Sequence, residues 1–318
     1  MTANKLTNYG GFPAGVNIRG LPILNSYPGK VFWVDSGAGS DGNKGTFSRP
    51  FGTMDYAVGQ CTANSGDIIM VKPGHTETVT AAAGLDLDVA GISFIGWGQG
   101  SDRPTINFTT VVGADMDVDA ANITMSNFLF TGGIDALTGP IDINAADFAL
   151  LNCETRDVTG QATDFIVTDA NADRLLIDGW THRGAAAAGA DTAITIVGGD
   201  DITIREFWID GNFAVACIEN VTTAAVNLSV YGNNQCFART RNSADVIVTA
   251  VATTTGNVGP NLNIRLQDNA ANITECLVGA DMQFYGPLQI VNLDGEMPFG
   301  VTAVGGIGMI NKTASTDA

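Results

Sequence analysis

The stretch Asp201-Ile202-Thr203-Ile204-Arg205-Glu206-Phe207 decides the fold. Two apolar residues alternate with polar ones, and a large core residue follows three positions later. The pattern returns as Ile92, Phe94, Trp97; as Ile123, Met125, Phe128; as Phe148, Leu150, Cys153; as Leu175, Ile177, Trp180; and more weakly at Leu228 and Val230. First members stand at 92, 123, 148, 175, 202 and 228, so the steps are 31, 25, 27, 27 and 26 residues. A sustained period of this length marks stacked repeats. Alternation within each unit marks a short strand rather than a helix. One strand-turn-strand unit per step of about 26 residues predicts an all-β chain, a right-handed parallel β-helix.

Each unit carries a second strand shortly before the diagnostic one: Met116 to Val118, Ile141 to Ile143, Phe165 to Val167, Ile194 to Ile196. Between them lie small polar corners such as Asp119-Ala120-Ala121-Asn122 and Gly198-Gly199-Asp200-Asp201. Asn and Asp tolerate the left-handed conformation and Gly adopts it freely, which is what corners of a coil require. About ten turns over residues 35–285 make a rod roughly 45–50 Å long at the parallel-strand spacing. The expected organisation is an extended arm over 1–30 and one β-helix domain over 31–290. That domain divides into a capping region (31–80), regular rungs (81–235) and irregular rungs (236–290), and a tail follows over 291–318.

Composition sets further bounds. With 15 basic and 33 acidic residues the net charge is −18, which disfavours nucleic acid or an anionic membrane surface as a partner. It suits a solvated acidic shell, a cationic partner or bound calcium. The longest apolar run is far short of a membrane span, and the N-terminus lacks the basic-then-apolar layout of a signal peptide. Five cysteines, Cys61, Cys153, Cys217, Cys236 and Cys276, are odd in number, widely spaced and never Cys-x-x-Cys, which points to folding in a reducing compartment. Cys153 fills a core slot as a small buried hydrophobe.

The densest motif region follows the arm. The strand Val31-Phe32-Trp33-Val34 runs into the loop Asp35-Ser36-Gly37-Ala38-Gly39-Ser40-Asp41-Gly42-Asn43-Lys44-Gly45-Thr46, then Arg49-Pro50-Phe51-Gly52-Thr53. Phe51, Met54, Ala57, Val58 and Cys61 have helical spacing, with Thr53 as N-cap. A buried strand Ile68-Ile69-Met70-Val71 closes in Lys72-Pro73-Gly74-His75-Thr76-Glu77. This order resembles the opening of pectate-lyase-like right-handed β-helix proteins. The resemblance implies that the short helix caps the open end of the coil, whose edge is otherwise unpaired.

Four constellations bear on chemistry. Gly199-Asp200-Asp201 is similar to the paired aspartates of polygalacturonase-type glycosidases, but the Asn-x-Asp, Gly-His-Gly and Arg-x-Lys steps of that family are missing, so the pair reads as a corner. Asp115-x-Asp117-x-Asp119 and Asp86-x-Asp88 each line one strand face. They offer a calcium site or a solvated acidic face, with only Arg103 nearby as a base. Glu154-Thr155-Arg156-Asp157 and Arg205-Glu206 read as exposed ion-pair ladders on different rungs. His75, beside Glu77, reads as structural. No catalytic or cofactor-binding residue is assigned; the expectation is a protein that is not an enzyme, with structural calcium left open.

The segment Gly20-Leu21-Pro22-Ile23-Leu24 leading into Pro28-Gly29-Lys30-Val31-Phe32-Trp33-Val34 resembles proteins of tailed bacteriophages that occur with head components. That resemblance implies a tailspike-like homotrimer on the capsid exterior, made in the host cytoplasm, that stabilises the virion by bridging major capsid proteins. Phe12, Val16, Ile18, Arg19, Leu21, Ile23, Leu24 and Tyr27 are then the capsid-contact candidates. Ala185, Ala186, Ala187, Ala188, Phe299, Val301 and Ile307 are the trimer-interface candidates. The alternative is a tailspike that binds or cleaves host surface polysaccharide.

Overall fold

The structure, a computed structural model, describes residues 16–18, 21–23, 29–157, 162–185, 189–232, 234–239, 245–267, 276–285, 288–292 and 300–301. Three parallel sheets form a right-handed parallel β-helix. Sheet 1 has ten strands, from Val31–Val34 to Met282–Phe284. Sheet 2 has nine, from Thr76–Val79 to Leu288–Asn292, and sheet 3 has nine, from Leu85–Asp86 to Gly300–Val301. One coil shows the rule: Thr124–Ser126 enters sheet 1, Leu129–Gly132 sheet 2 and Thr138–Ile143 sheet 3.

The coil therefore has three strands where the sequence suggested two. The alternating segments are the strands of sheets 1 and 3. Sheet 2 escaped notice because its inward positions are not uniformly apolar; Glu77, Thr155 and His182 take them on three of its rungs. Pairing also continues past residue 238. Asn234–Arg239 matches Leu262–Gln267 over six positions, and that strand in turn matches Leu288–Asn292.

The core is a set of stacked columns. Ile69, Phe94, Met125, Leu150, Ile177, Ile204, Val230 and Val258 follow one another in register inside sheet 1, and all are buried. Burial of each such side chain stabilises by about 2 kcal/mol. A second column, Phe128, Cys153, Trp180 and Phe207, is buried at the corner between sheets 1 and 2. Trp97 does not belong to it: its side chain is 38% exposed and packs edge-on against Trp33. The backbone shows why. Leu129 N–H donates to Pro104 O as Glu154 N–H does to Phe128 O and Thr181 N–H to Cys153 O, so Pro104 holds the slot. The long first step of 31 residues is the loop inserted between Trp97 and Pro104.

Corners stack as well. Asn122, Asp147, Arg174, Asp201 and Asn227 all have φ between 56° and 62°. Left-handed backbone costs a residue with a Cβ about 1–2 kcal/mol, least for Asn and Asp. Side chains reinforce the column: Arg174 bonds both oxygens of Asp147, at 2.6 and 2.8 Å, and Asn227 Nδ2 donates to Asp201 at 2.7 Å. Asp200 and Asp201 are thus corner residues, as expected.

At the N-terminal end the helix α1 (Met54–Val58) turns Met54, Ala57 and Val58 onto the first coil. Thr53 Oγ1 accepts Tyr56 N–H at 3.3 Å, and Glu77 accepts Met54 N–H at 2.8 Å. His75 is buried in the same clamp, its Nδ1 accepting Ser36 N–H at 2.9 Å and its Nε2 lying 3.0 Å from Glu77. Asp41 accepts the N–H groups of Gly52 and Thr53, so the glycine-rich loop is bolted to the helix start. Within the arm, Val16–Ile18 and Leu21–Ile23 pair antiparallel.

Outward residues differ sharply between sheets. On sheet 1 the outward positions from Val31 through Leu176 carry no charge; the first is Asp178. The outward faces of sheets 2 and 3 carry the charges that form the candidate site.

Candidate ligand-binding surface

On sheet 2 successive strands present Leu129 and Thr131, Glu154 and Arg156, Thr181 and Arg183, then Trp208 and Asp210. Glu154 is the centre. Its side chain is 8% exposed and accepts from three arginines. Arg156 Nε lies 2.6 Å from Oε1 and Arg183 Nε 3.0 Å from the same oxygen. Arg103 Nη2 donates to Oε2 from the loop inserted before Pro104, and its Nε donates to Gly100 O at 3.1 Å. Burial alone would raise the Glu154 pKa. Hydrogen bonds from Arg156 and Arg103 outweigh it and hold the carboxyl below the usual glutamate range, so Glu154 is a fixed anion rather than a proton donor.

This corrects the expectation of matched exposed ladders. Glu154 is buried by its arginines, and Arg205 stands on a different sheet, where Nε and Nη2 both bond Asp178 one coil earlier, at 2.9 and 2.7 Å. Arg156 and Arg183 give Glu154 only Nε; among the described residues no hydrogen bond uses their Nη groups. Their side chains are 39% and 61% exposed. One strand further along, Trp208 is 48% exposed in register with Thr181. Strand geometry puts it diagonal to Arg183, about 8 Å away between Cα atoms.

Sheet 3 stacks like charges. Asp86, Asp117 and Asp142 follow in register on adjacent strands. Asn144 Nδ2 donates to Asp117 at 2.6 Å and to Asp119 at 3.4 Å. Burial, then the charges of Asp119 and Asp142, pushes Asp117 up to about 6. Burial raises Asp86, Asp115 and Asp142 too. Among the described residues no group of three or more His, Cys, Asp or Glu is arranged to hold a metal ion.

Inside the rod lies a polar cluster that the sequence did not reveal. Trp180 Nε1–H donates to Thr155 Oγ1 at 2.9 Å, and Thr155 Oγ1 is 2.8 Å from His182 Nδ1. Phe165, Trp180 and Phe213 surround the His182 ring at 5.5, 5.9 and 5.5 Å. Burial pushes His182 down to about 3, so the imidazole is neutral. Buried Asp157 accepts backbone N–H groups of Ala190, Ala162 and Ala185, and burial pushes it up to about 6. Only the stacking of Glu154–Asp157 on Thr181–Arg183 signals this cluster.

The other predicted residues are spread out. Val16, Ile18, Leu21 and Ile23 lie in the antiparallel pair of the arm, while Phe12, Arg19, Leu24 and Tyr27 lie outside the described residues. Ala185 O accepts Asn212 N–H at 3.1 Å, and Val301 ends sheet 3. Ala186, Ala187, Ala188, Phe299 and Ile307 lie outside the described residues.

No family model and no curated protein matches the chain. Among solved structures it is similar to a rhamnogalacturonan lyase, with a TM-score of 0.46 and 16% identity over 80% of this chain and 73% of that one. It is also similar to a GH136 lacto-N-biosidase from Eubacterium ramulus, with a TM-score of 0.47 and 11% identity over 83% of this chain and 60% of that one. The chain thus spans about three fifths of the biosidase. Neither bears on the resemblance to bacteriophage head proteins. Against the expectation that the chain is not an enzyme stands that both carry the names of enzymes, a lyase and a biosidase. That expectation rested on the absence of a coherent catalytic set, together with the missing leader, the cysteine pattern and the acidic surface, and none of these fixes the chemistry that a fold can host. The strand order by itself makes the fold a right-handed parallel β-helix.

Proposed function

We propose that the chain binds a linear polysaccharide along the outward face of sheet 2, in the manner of a tailspike. Trp208 carries the reading. It is an indole left 48% exposed on a flat sheet face, where burial would otherwise be favoured. Thr181 is in register with it on the adjacent strand, so the indole can stack on a sugar ring while that hydroxyl bonds its rim, and Thr131 and Asn107 lie on the same face further along the rod. Rungs repeating every ~4.8 Å present these groups along a line, which suits a polymer.

The test is direct. Host surface polysaccharides are incubated with the chain and with the variant Trp208→Ala. Expected is retention by the wild type and at least tenfold weaker retention by Trp208→Ala. Equal retention by Trp208→Ala sinks the reading.

This reading carries the homotrimer with it, seated on the uncharged outward face of sheet 1 around Ile68, Ile95, Leu151 and Leu176. A chain of net charge −18 packs against copies of itself at least cost through a face without charge. Light scattering should give the mass of three chains, and a mass of one removes the trimer. The capsid-decoration alternative draws on the arm and the C-terminal stretch, and no observation on the described residues favours it.

A further inference from the structure

We propose that the polymer bound on sheet 2 is an acidic glycan with well-separated carboxylates, and that Arg156 and Arg183 form the fork that receives one carboxylate. The proposal rests on the polysaccharide reading above and names its ligand class. Arg156 and Arg183 are register partners on adjacent strands, so their guanidinium groups are carried side by side at the strand spacing. Glu154 Oε1 accepts Nε from both, at 2.6 and 3.0 Å, which holds the two planes from behind. The Nη groups are left as donors, and a planar carboxylate is the acceptor that guanidinium forks fit best. Trp208, diagonal to Arg183, then takes the sugar ring that bears the carboxylate.

Charge balance defines the ligand further. Three arginines against Glu154 leave the cluster net positive, and Asp210, next to Arg183 in register, reduces that excess without cancelling it. The chain as a whole is at −18. At physiological salt, screening over about 8 Å lets the local arginines govern one docked carboxylate. A polymer with a charge on every unit would extend its anions over the acidic remainder of the surface and be repelled. Sparse carboxylates are therefore accepted and dense polyanions rejected, a discrimination by repulsion as well as attraction.

The experiment uses hyaluronan oligosaccharides, which carry a carboxylate on every second sugar, their carboxyl-reduced neutral form, and a single-stranded oligonucleotide as the dense polyanion. Binding to the full chain is measured by calorimetry at physiological salt. Expected is hyaluronan binding at least tenfold tighter than that of the reduced form, with no binding of the oligonucleotide. Arg156→Gln/Arg183→Gln should erase that tenfold preference. Arg183→Lys should lose most of it despite keeping the charge. If reduced and native forms bind alike, or the double variant keeps the preference, the acidic-glycan inference fails and the polysaccharide reading stands. If the wild type binds neither glycan, both fail. Oligonucleotide binding as tight as hyaluronan overturns the sparse-charge part. Unchanged circular dichroism shows that the variants remain folded, as expected for two side chains on the surface with Arg103 still paired to Glu154.

Discussion

Two outward faces of one rod, sheet 2 around Glu154 and sheet 3 around Asp117, share a backbone, a strand spacing and a stacking rule, yet their carboxyl groups move in opposite directions. Glu154 is held below its ordinary range because the neighbouring rungs and a loop deliver arginines to it. Asp117 is pushed up to about 6 because burial is joined by neighbouring carboxylates. In a parallel stack a residue meets the same-position residue of the next coil, so charge sign along a column, rather than along the chain, sets the local electrostatics. A solenoid can thus place a fixed anion and a proton donor on adjoining faces without altering its core.

The largest expected effect breaks the comparison at its first member. Glu154→Ala leaves Arg103, of which only 13% of the side chain is exposed, without its carboxylate. Loss of a buried partner of this kind costs about 3 kcal/mol. Urea denaturation should show a midpoint shift of that order; a cost under about 0.5 kcal/mol, typical of an exposed pair, would return Glu154 to the surface-ladder class.

A smaller effect sharpens the second member. An acid whose folded pKa lies above its unfolded value binds more protons when folded, so stability falls as pH rises between the two values. For Asp117 that window runs from about 4 in the unfolded chain to about 6 in the folded one. Asp117→Asn should flatten the pH dependence there and stabilise the chain above pH 6. The gain is at most about 1 kcal/mol once solvent screening is allowed for. The sign is opposite for Glu154, whose lowered pKa contributes stability above the unfolded glutamate value that is lost as pH falls through the folded one. Thermal melts of the wild type and of Asp117→Asn from pH 4 to 8 measure this difference, and parallel pH profiles would count against the acidic column as a coupled unit.

Much of the fold was legible because two of the three sheets obey simple alternation. Ile202 and Ile204 repeat at Ile177, Leu150 and Met125, and their register is what the spacing predicted. Sheet 2 was not legible. Thr155 and His182 face inward and share a hydrogen bond that needs two coils in contact, so neither signals burial by itself. Trp97 misled for a related reason: spacing counts residues, whereas a loop inserted before Pro104 shifts the slot without changing the strand that precedes it. The candidate site was legible only as charges. Glu154 and Arg156 stood out as charges, but Arg183 did not, Arg103 lies 51 positions from Glu154, and Trp208 gives no sign in sequence of being exposed.

Sequence alone determined the solenoid, its period, its capping helix and the corner role of Asp200 and Asp201, because each depends on local patterns that recur within one coil. Tertiary structure alone decided which residues share a column, and hence that Glu154 gathers arginines while Asp117 gathers carboxylates. The physical reason is that side chains on adjacent coils touch at about 4.8 Å although they stand some 25 to 31 residues apart in the chain. Coulomb and hydrogen-bond energies depend on the first distance, not the second.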